Sequence, residues 1–240
     1  MVDHQKIKKY YDKGYFEIRD HISPPLVSAL EIFMKERNLK KVLDVGCGTG
    51  QAIKFLNDHG FSGQGCDISK IAVDKANKLN KKNVAKIASA DNLPYQSNNF
   101  DLVIALSVIE HLSAKITKKF LQEAYRVLKK NGYIFIVTPN FSTPIRYLQG
   151  SHWFGYSDPT HLNFYTPHSL ASLLKKEQFK KIKLYFRVDS NVSFDWELPI
   201  NLNKLPKFIR SSIVFLLFST PFSLIRNSFW IAAQKKTIDN

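Results

Sequence analysis

Apolar and polar positions along this chain switch repeatedly between a short extended pattern and a helical one. The run Lys40-Lys41-Val42-Leu43-Asp44-Val45 is brief, apolar and closed by glycines, the pattern of a buried parallel strand. A helical stripe follows at Ala52, Ile53, Phe55 and Leu56 and stops at Gly60. A second strand is expected near 64–67, an amphipathic helix from Ser69 to about Leu79, and a third strand at Val84–Ala88. Phe100–Leu106 is apolar on both faces and so reads as a central strand. Ile116, Phe120, Leu121, Ala124 and Leu128 recur at helical spacing over 115–129, and Asn131-Gly132 ends that element. Tyr133–Val137 is a fifth strand, stopped by Thr138-Pro139-Asn140. A helix from Pro167, a strand over 179–188 and a last strand over 228–234 complete the pattern. Strands alternating with helices require crossover connections and a parallel sheet.

Two stretches break the alternation. Residues 139–166 form a long loop rich in aromatics, including Phe141, Trp153, Phe154, Tyr156 and Phe164, and residues 189–227 form a second insertion. Long loops in compact folds usually carry function, so both are expected to hang over the sheet edge that holds the chemistry. The 240 residues fit one domain, with 1–39 as an N-terminal helical cap. At 44% hydrophobic and 13% aromatic, the chain can bury a substantial core, which excludes a disordered class. Its two cysteines, Cys47 and Cys66, exclude a disulfide-framed scaffold. The N-terminus has no apolar signal region and no stretch reaches membrane-spanning length, so a reduced, cytoplasmic setting is expected. The charge is unusual: 35 Lys and Arg against 20 Asp and Glu give +15. The surplus is spread along the chain as lysines at helix-surface spacing, such as Lys70, Lys75, Lys78 and Lys82, and no segment holds a dominating block. That is the pattern of solvated faces and not of a nucleic-acid-binding patch.

The candidate chemistry starts where the first strand ends, in Asp44-Val45-Gly46-Cys47-Gly48-Thr49-Gly50. Glycines there let the backbone turn sharply and approach a ligand closely. A dinucleotide-binding turn wants a small residue where Gln51 stands, and the acid at Asp44 suits a cationic ligand better than a pyrophosphate. Both points argue against a nicotinamide-dependent oxidoreductase. Asp67 ends the second strand, where a carboxylate can take ribose hydroxyls, and Asp91 follows the third, where it can accept from an adenine amine while Leu93 covers the ring. Three carboxylates at successive strand ends line the crevice in which open α/β sheets bind ligands.

The strings VLDVGCGTG, GCDIS, ADNLPYQSNNFDLVIALSVIEHL and FLQEAYRVLKKNGYIFIVTPN resemble those of the class I S-adenosylmethionine-dependent methyltransferases over about residues 36–188. The resemblance implies a Rossmann-like, doubly wound α/β fold with a seven-stranded sheet of order 3-2-1-4-5-7-6, the last strand antiparallel. It implies S-adenosylmethionine as cofactor and S-adenosylhomocysteine as product. Gly46, Gly48 and Gly50 would line the methionine and adenosyl moieties, Asp67 with Ile68 would hold the ribose, and Asp91, Asn92 and Leu93 the adenine. The backbone around Leu106 and Ser107 would face the methionine end. Tyr10 and Tyr11 resemble an aromatic pair that lies over the cofactor, although a leading helix could equally bury them.

A hydroxyl acceptor needs a base near neutral pKa, and histidine is the usual one. His111, in Val-Ile-Glu-His-Leu, and His161, at the end of the aromatic loop, are the two candidates. Glu110, His111 and His161 are also similar to the metal ligands of small-RNA 2′-O-methyltransferases. Ser107 stands where that pattern has a further glutamate, so no metal is expected. The leading expectation is O-methylation of a small-molecule, glycan or lipid-linked acceptor. An RNA 2′-O-methyltransferase-like enzyme with a Glu/His metal site is the alternative, beside a non-catalytic cofactor-binding scaffold. Residues 205–225 are the most apolar part of the chain and are flanked by cations. They are expected to cover the acceptor pocket or form a homodimer seam, or else to touch a membrane surface peripherally.

Overall fold

The computed structural model describes residues 22–193 and 204–236. Tyr10, Tyr11 and most of the expected cap over 1–39 therefore lie outside the described residues. The chain enters through α1 (Pro24–Glu36), whose start is set by Ser23: its hydroxyl accepts from the Leu26 amide, and Pro24 supplies a preset first turn. Then follow β1 (Lys41–Val45), α2 (Gln51–Asp58), β2 (Ser62–Asp67), α3 (Lys70–Asn80), β3 (Ala85–Ile87), β4 (Phe100–Leu106), α4 (Ala114–Val127) and β5 (Leu128–Pro139). Two short helices, α5 (Ile145–Gln149) and α6 (Phe154–Ser157), lie in the aromatic loop. After it come α7 (Pro167–Lys176), β6 (Phe179–Lys183), α8 (Lys207–Ser219) and β7 (Ser228–Lys235).

The seven strands form one sheet in the order β3-β2-β1-β4-β5-β7-β6. β1 to β5 are parallel, while β7 runs antiparallel to both β5 and β6. The central strands are buried on both faces, as their continuous apolar sequences require. Val42, Leu102, Ile104 and Phe135 point to the face covered by α1 and α2, where they join Leu30, Phe33 and Leu56. Leu43, Val103, Ala105 and Ile134 point the other way, toward Phe120, Leu121 and Leu170 of α4 and α7. α7 begins with a reciprocal cap between Thr166 and Ser169.

The boundaries differ from the sequence pattern in two informative places. α4 stops at Val127 and the chain is extended from Leu128 onward, because Leu128 pairs with Phe100 across a bulge and its side chain is fully buried. Asn131 then supplies a left-handed turn residue inside the strand segment, at φ +63°. β6 ends at Lys183, not at Val188, since the amide of Phe186 donates to the carbonyl of Phe218 on α8. Val214 and Phe218 pack with Phe186 and Trp230 on the face that carries α1 and α2, so α8 completes the core there.

Candidate active site

The turn after β1 is shaped by contacts within the protein as much as by room for a ligand. Gly46 sits at φ +74°, and a Cβ there would come 2.5 Å from Cγ2 of Val108 in the loop after β4. Gly50 sits at φ +81° and opens α2; a Cβ there would meet the Ala76 side chain of α3 at 2.8 Å. The Gly46 and Cys47 amides both donate to the carbonyl of Cys66, which ties the turn to β2. Cys47 and Cys66 are free, buried thiols, and burial with the nearby carboxylates holds both well above the ordinary thiol range. They are packing residues and not nucleophiles.

Asp44 is buried at the end of β1, and its Oδ1 has no hydrogen-bond partner. Burial, with the neighbouring Asp67 adding repulsion, pushes its carboxyl up to about 8. A buried carboxylate oxygen without a partner is costly unless a cation or a donor arrives, so Asp44 fits a positively charged ligand. Asp67 accepts from the Gly48 amide on Oδ2 at 3.0 Å and from the Ser69 amide on Oδ1 at 2.8 Å. Those two bonds orient the carboxylate, and each oxygen keeps a lone pair for a hydroxyl. Ile68 beside it is half-buried. Asp91 takes a 2.5 Å hydrogen bond from the Ser89 hydroxyl, and Asn92 next to it is exposed. Leu93 turns its side chain into the core, and its backbone is clamped by Glu123 and Arg126 of α4. At the end of β4, Leu106 is half-buried and Ser107 is exposed in the left-handed region at φ +56°. A non-glycine residue in that conformation is strained, and such strain concentrates at functional sites. The donor set (an unpartnered acid, an oriented acid and a side-chain-poor turn) fits an adenosyl sulfonium.

The second cluster lies two residues beyond Val108, where Ile109–His111 make a single 3-10 turn. The structure brings Glu110, His111 and His161 together: one ligating atom from each lies within 4.8 Å of the others. The two imidazole rings are 4.7 Å apart between centroids. The aromatic loop is docked here by its own backbone, since the amides of Leu162 and Asn163 donate to the carbonyl of Glu110 at 2.8 and 3.0 Å. Glu110 is fully buried; its Oε2 accepts from Thr138 at 3.0 Å and its Oε1 has no partner. Burial pushes its carboxyl up to about 8.

The hydrogen bonds set both histidine tautomers. Nδ1 of His161 lies 2.7 Å from the carbonyl oxygen of Gly155; that oxygen can only accept, so Nδ1 carries the proton. The Thr160 hydroxyl donates to Asp158 at 2.5 Å and must therefore accept from Nδ1 of His111 at 2.8 Å. In a neutral ring with the proton on Nδ1 it is Nε2 that carries the lone pair, the form that takes a proton or binds a metal. Gly155 and Thr160 are invisible as site residues in the sequence. Gly155 is required because a Cβ would come 2.1 Å from the Trp153 ring.

The aromatic loop is held largely by its own rings. Trp153 is fully buried and donates from Nε1 to Asn227, while Phe141, Tyr156 and Phe164 pack on it and on one another. The rings hold the loop in place and leave partly exposed edges of Phe154, Tyr156 and Phe164 outward. A separate groove of about 530 Å³ lies between α1 and α8, lined by Ser28, Glu31, Asp189 and Phe215, and it contains none of these residues.

Comparison with known proteins agrees with this geometry. A family model described as a methyltransferase domain matches residues 15–184. A ubiquinone biosynthesis O-methyltransferase of Pelagibacter ubique is 26% identical over 219 residues, covering 86% of this chain and 90% of that protein. An uncharacterized protein of Methanocaldococcus jannaschii is 38% identical over 137 residues, but the match spans only 51% of its length and 55% of this chain. The crystal structure of an S-adenosylmethionine-dependent methyltransferase from Archaeoglobus fulgidus superposes with a TM-score of 0.60 at 21% identity, covering 97% of this chain and all of that one. Strand order, glycine turn and family match converge, and the chain belongs to the methyltransferase domain family as a class I S-adenosylmethionine-dependent enzyme.

Proposed function

We propose that this protein transfers the methyl group of S-adenosylmethionine to a hydroxyl of a small or lipid-linked acceptor. The observation that carries the reading is the Glu110–His111–His161 cluster, in which each imidazole has its Nδ1 proton fixed by an acceptor, beside the loop where Val108 packs against Gly46. A hydroxyl must lose its proton as it attacks, whereas an amine needs no such fixed pair of bases. The relatives named as ubiquinone and tocopherol O-methyltransferases support the same chemistry at low identity or partial coverage.

The bound cofactor supplies an electrophilic methyl on a positively charged sulfur. Asp67 would hold the ribose hydroxyls, Asp91 and Asn92 the adenine, and Asp44 would face the cationic methionyl end. Ser107 and Leu106 shape the edge where the acceptor enters. His161 or His111 takes the hydroxyl proton at Nε2, and Thr160 with Asp158 keeps His111 in the tautomer that can do so. Positioning of this kind can lower the barrier by about 7–11 kcal/mol, and the base contributes on the order of 10²–10⁴ in rate.

A second reading is favoured by one observation: Glu110 Oε1 is buried without a partner beside the imidazoles of His111 and His161. Three such ligands with an open position suit a divalent transition metal that would polarise the acceptor hydroxyl. The test is a methyl-transfer screen with catechols, other phenols and amines, run with metal analysis of the purified protein and with His111→Ala and His161→Ala. Metal-free protein that methylates phenols, and loses at least tenfold in kcat in the histidine variants, supports the base reading. Stoichiometric metal with loss of activity on chelation selects the second. Full activity in both variants, or amine products alone, overturns both.

A further inference from the structure

The outer side of α8 and the turn after it expose an apolar surface that the fold leaves uncovered. Val214 and Phe218 use one side of α8 for the core, yet Phe208 (73% exposed), Phe215 (59%) and Leu216 (47%) project on the other. The 3-10 turn Pro221–Ile225 continues the surface with Phe222 (57%) and Ile225. α5 extends it further: Thr143, two residues before that helix, donates to the carbonyl of Ile225, and α5 exposes Tyr147 and Leu148. A helix that is apolar on both sides is normally enclosed by its protein. At 13 residues α8 is too short to span a bilayer, and among the described residues no helix is long and apolar enough to cross a membrane.

The charges around the surface select its occupant. From 204 to 227 the chain holds Lys204, Lys207, Arg210 and Arg226 and no acidic residue. Lys204 and Lys207 are exposed at the N-terminal end of α8, beside Phe208, and Arg146 stacks on Tyr147. A second copy packing α8 on α8 would bring the same cations together, because the carboxylates beside this face, Glu31 and Asp189, line the groove between α1 and α8. An anionic bilayer supplies both what the phenylalanines need, an apolar layer a few ångströms deep, and what the cations need, a negative surface. We propose that α8, the Pro221–Ile225 turn and α5 form a docking surface for a membrane containing anionic phospholipid, with α8 lying in the plane of the interface. The surface is independent of the acceptor. A lipid-linked acceptor would be met where the enzyme docks, which rests on the proposed O-methylation.

The experiment is co-sedimentation of the full chain with vesicles of phosphatidylcholine alone and of phosphatidylcholine mixed with phosphatidylglycerol, without cofactor or acceptor. Binding to the mixed vesicles is expected to exceed binding to phosphatidylcholine by at least about tenfold and to weaken as salt rises. The exposed triple variant Phe208→Ser/Phe215→Ser/Phe222→Ser and the pair Lys204→Glu/Lys207→Glu should each lose at least about tenfold of it. Retained S-adenosylmethionine affinity shows that these variants are folded. Failure of the intact protein to sediment with mixed vesicles overturns the proposal, as does binding that neither variant weakens. A dimer in sedimentation velocity that the triple variant abolishes, with no vesicle binding, assigns the surface to a second copy instead. Because no methyl transfer is measured, a negative result here leaves the proposed reaction to its own test.

Discussion

The protonation state of Asp44 yields a quantitative test of the cofactor site. Its carboxyl is buried, leaves Oδ1 unpartnered and is pushed up to about 8 by burial and by Asp67, so the ligand-free protein holds a proton there at neutral pH. A cationic ligand against that oxygen favours the carboxylate, and binding must expel the proton. Because the proton competes with the cofactor, affinity falls as pH falls. Below the free-state value each pH unit costs about tenfold, or about 1.4 kcal/mol. With the bound-state value back in the ordinary carboxylate range, Kd for S-adenosylmethionine should be roughly 75-fold weaker at about pH 5.5 than at about pH 7.5. Titration calorimetry at about pH 6.5, in two buffers of different ionisation heat, should show about one proton released per cofactor bound. Asp44→Asn keeps the shape and removes the titrating group, so its Kd should be nearly flat over the same range and weaker at the upper end. A wild-type Kd that changes less than about threefold, or a variant with the wild-type slope, refutes the assignment of Asp44 to the cofactor's charge.

The same group predicts the stability of the ligand-free protein. Between the unfolded value near 4 and the folded value of about 8 the native state holds one proton more than the unfolded chain, so this contribution is full below pH 4 and is lost as pH rises toward 8. Thermal unfolding without cofactor should show Asp44→Asn losing that decline, and an unchanged pH slope in the variant would contradict it. Gly46→Ala forces an alanine to φ +74° and a Cβ into Val108, which should cost about 2–4 kcal/mol in urea unfolding. Adding Val108→Ala should recover part of that loss, and no recovery would show that the contact is not what demands the glycine. Thr160→Val removes the nearer acceptor of the His111 Nδ1 proton, the hydroxyl at 2.8 Å, and leaves only the Thr160 carbonyl at 3.3 Å. It should lower kcat by about tenfold and displace the pH–rate profile with KM little changed, whereas a merely structural role would leave the profile in place.

Much of the fold follows from local pattern. The alternation of apolar strands and helical stripes, with the stop at Gly60, is set by contacts within a few residues and so is visible in the order of the amino acids. The candidate cofactor end is visible for the same reason, since Asp44 near the end of β1 is followed at once by the Gly46–Gly50 turn, Asp67 ends β2 and Asp91 lies in the loop after β3. The errors arose where a distant element captured the chain: Leu128 by Phe100, Phe186 by Phe218, and Trp153 by Phe141 and Tyr156.

The acceptor side depends on such captures throughout. His111 and His161 are single residues in a sequence with seven histidines, and only the docking of the Glu110 carbonyl with the amides of Leu162 and Asn163 brings them together. Their tautomers depend on Gly155 and Thr160, which have no pattern of their own, and the exposed side of α8 depends on which of its two apolar faces Phe186 and Trp230 take. By itself, the sequence determined the sheet and the glycine turn after β1, because backbone periodicity and glycine conformation are local. Tertiary structure alone decided where the bases meet and which face is left outward, because those result from packing between segments about 50 residues apart, as the 49-residue separation of His111 and Thr160 shows.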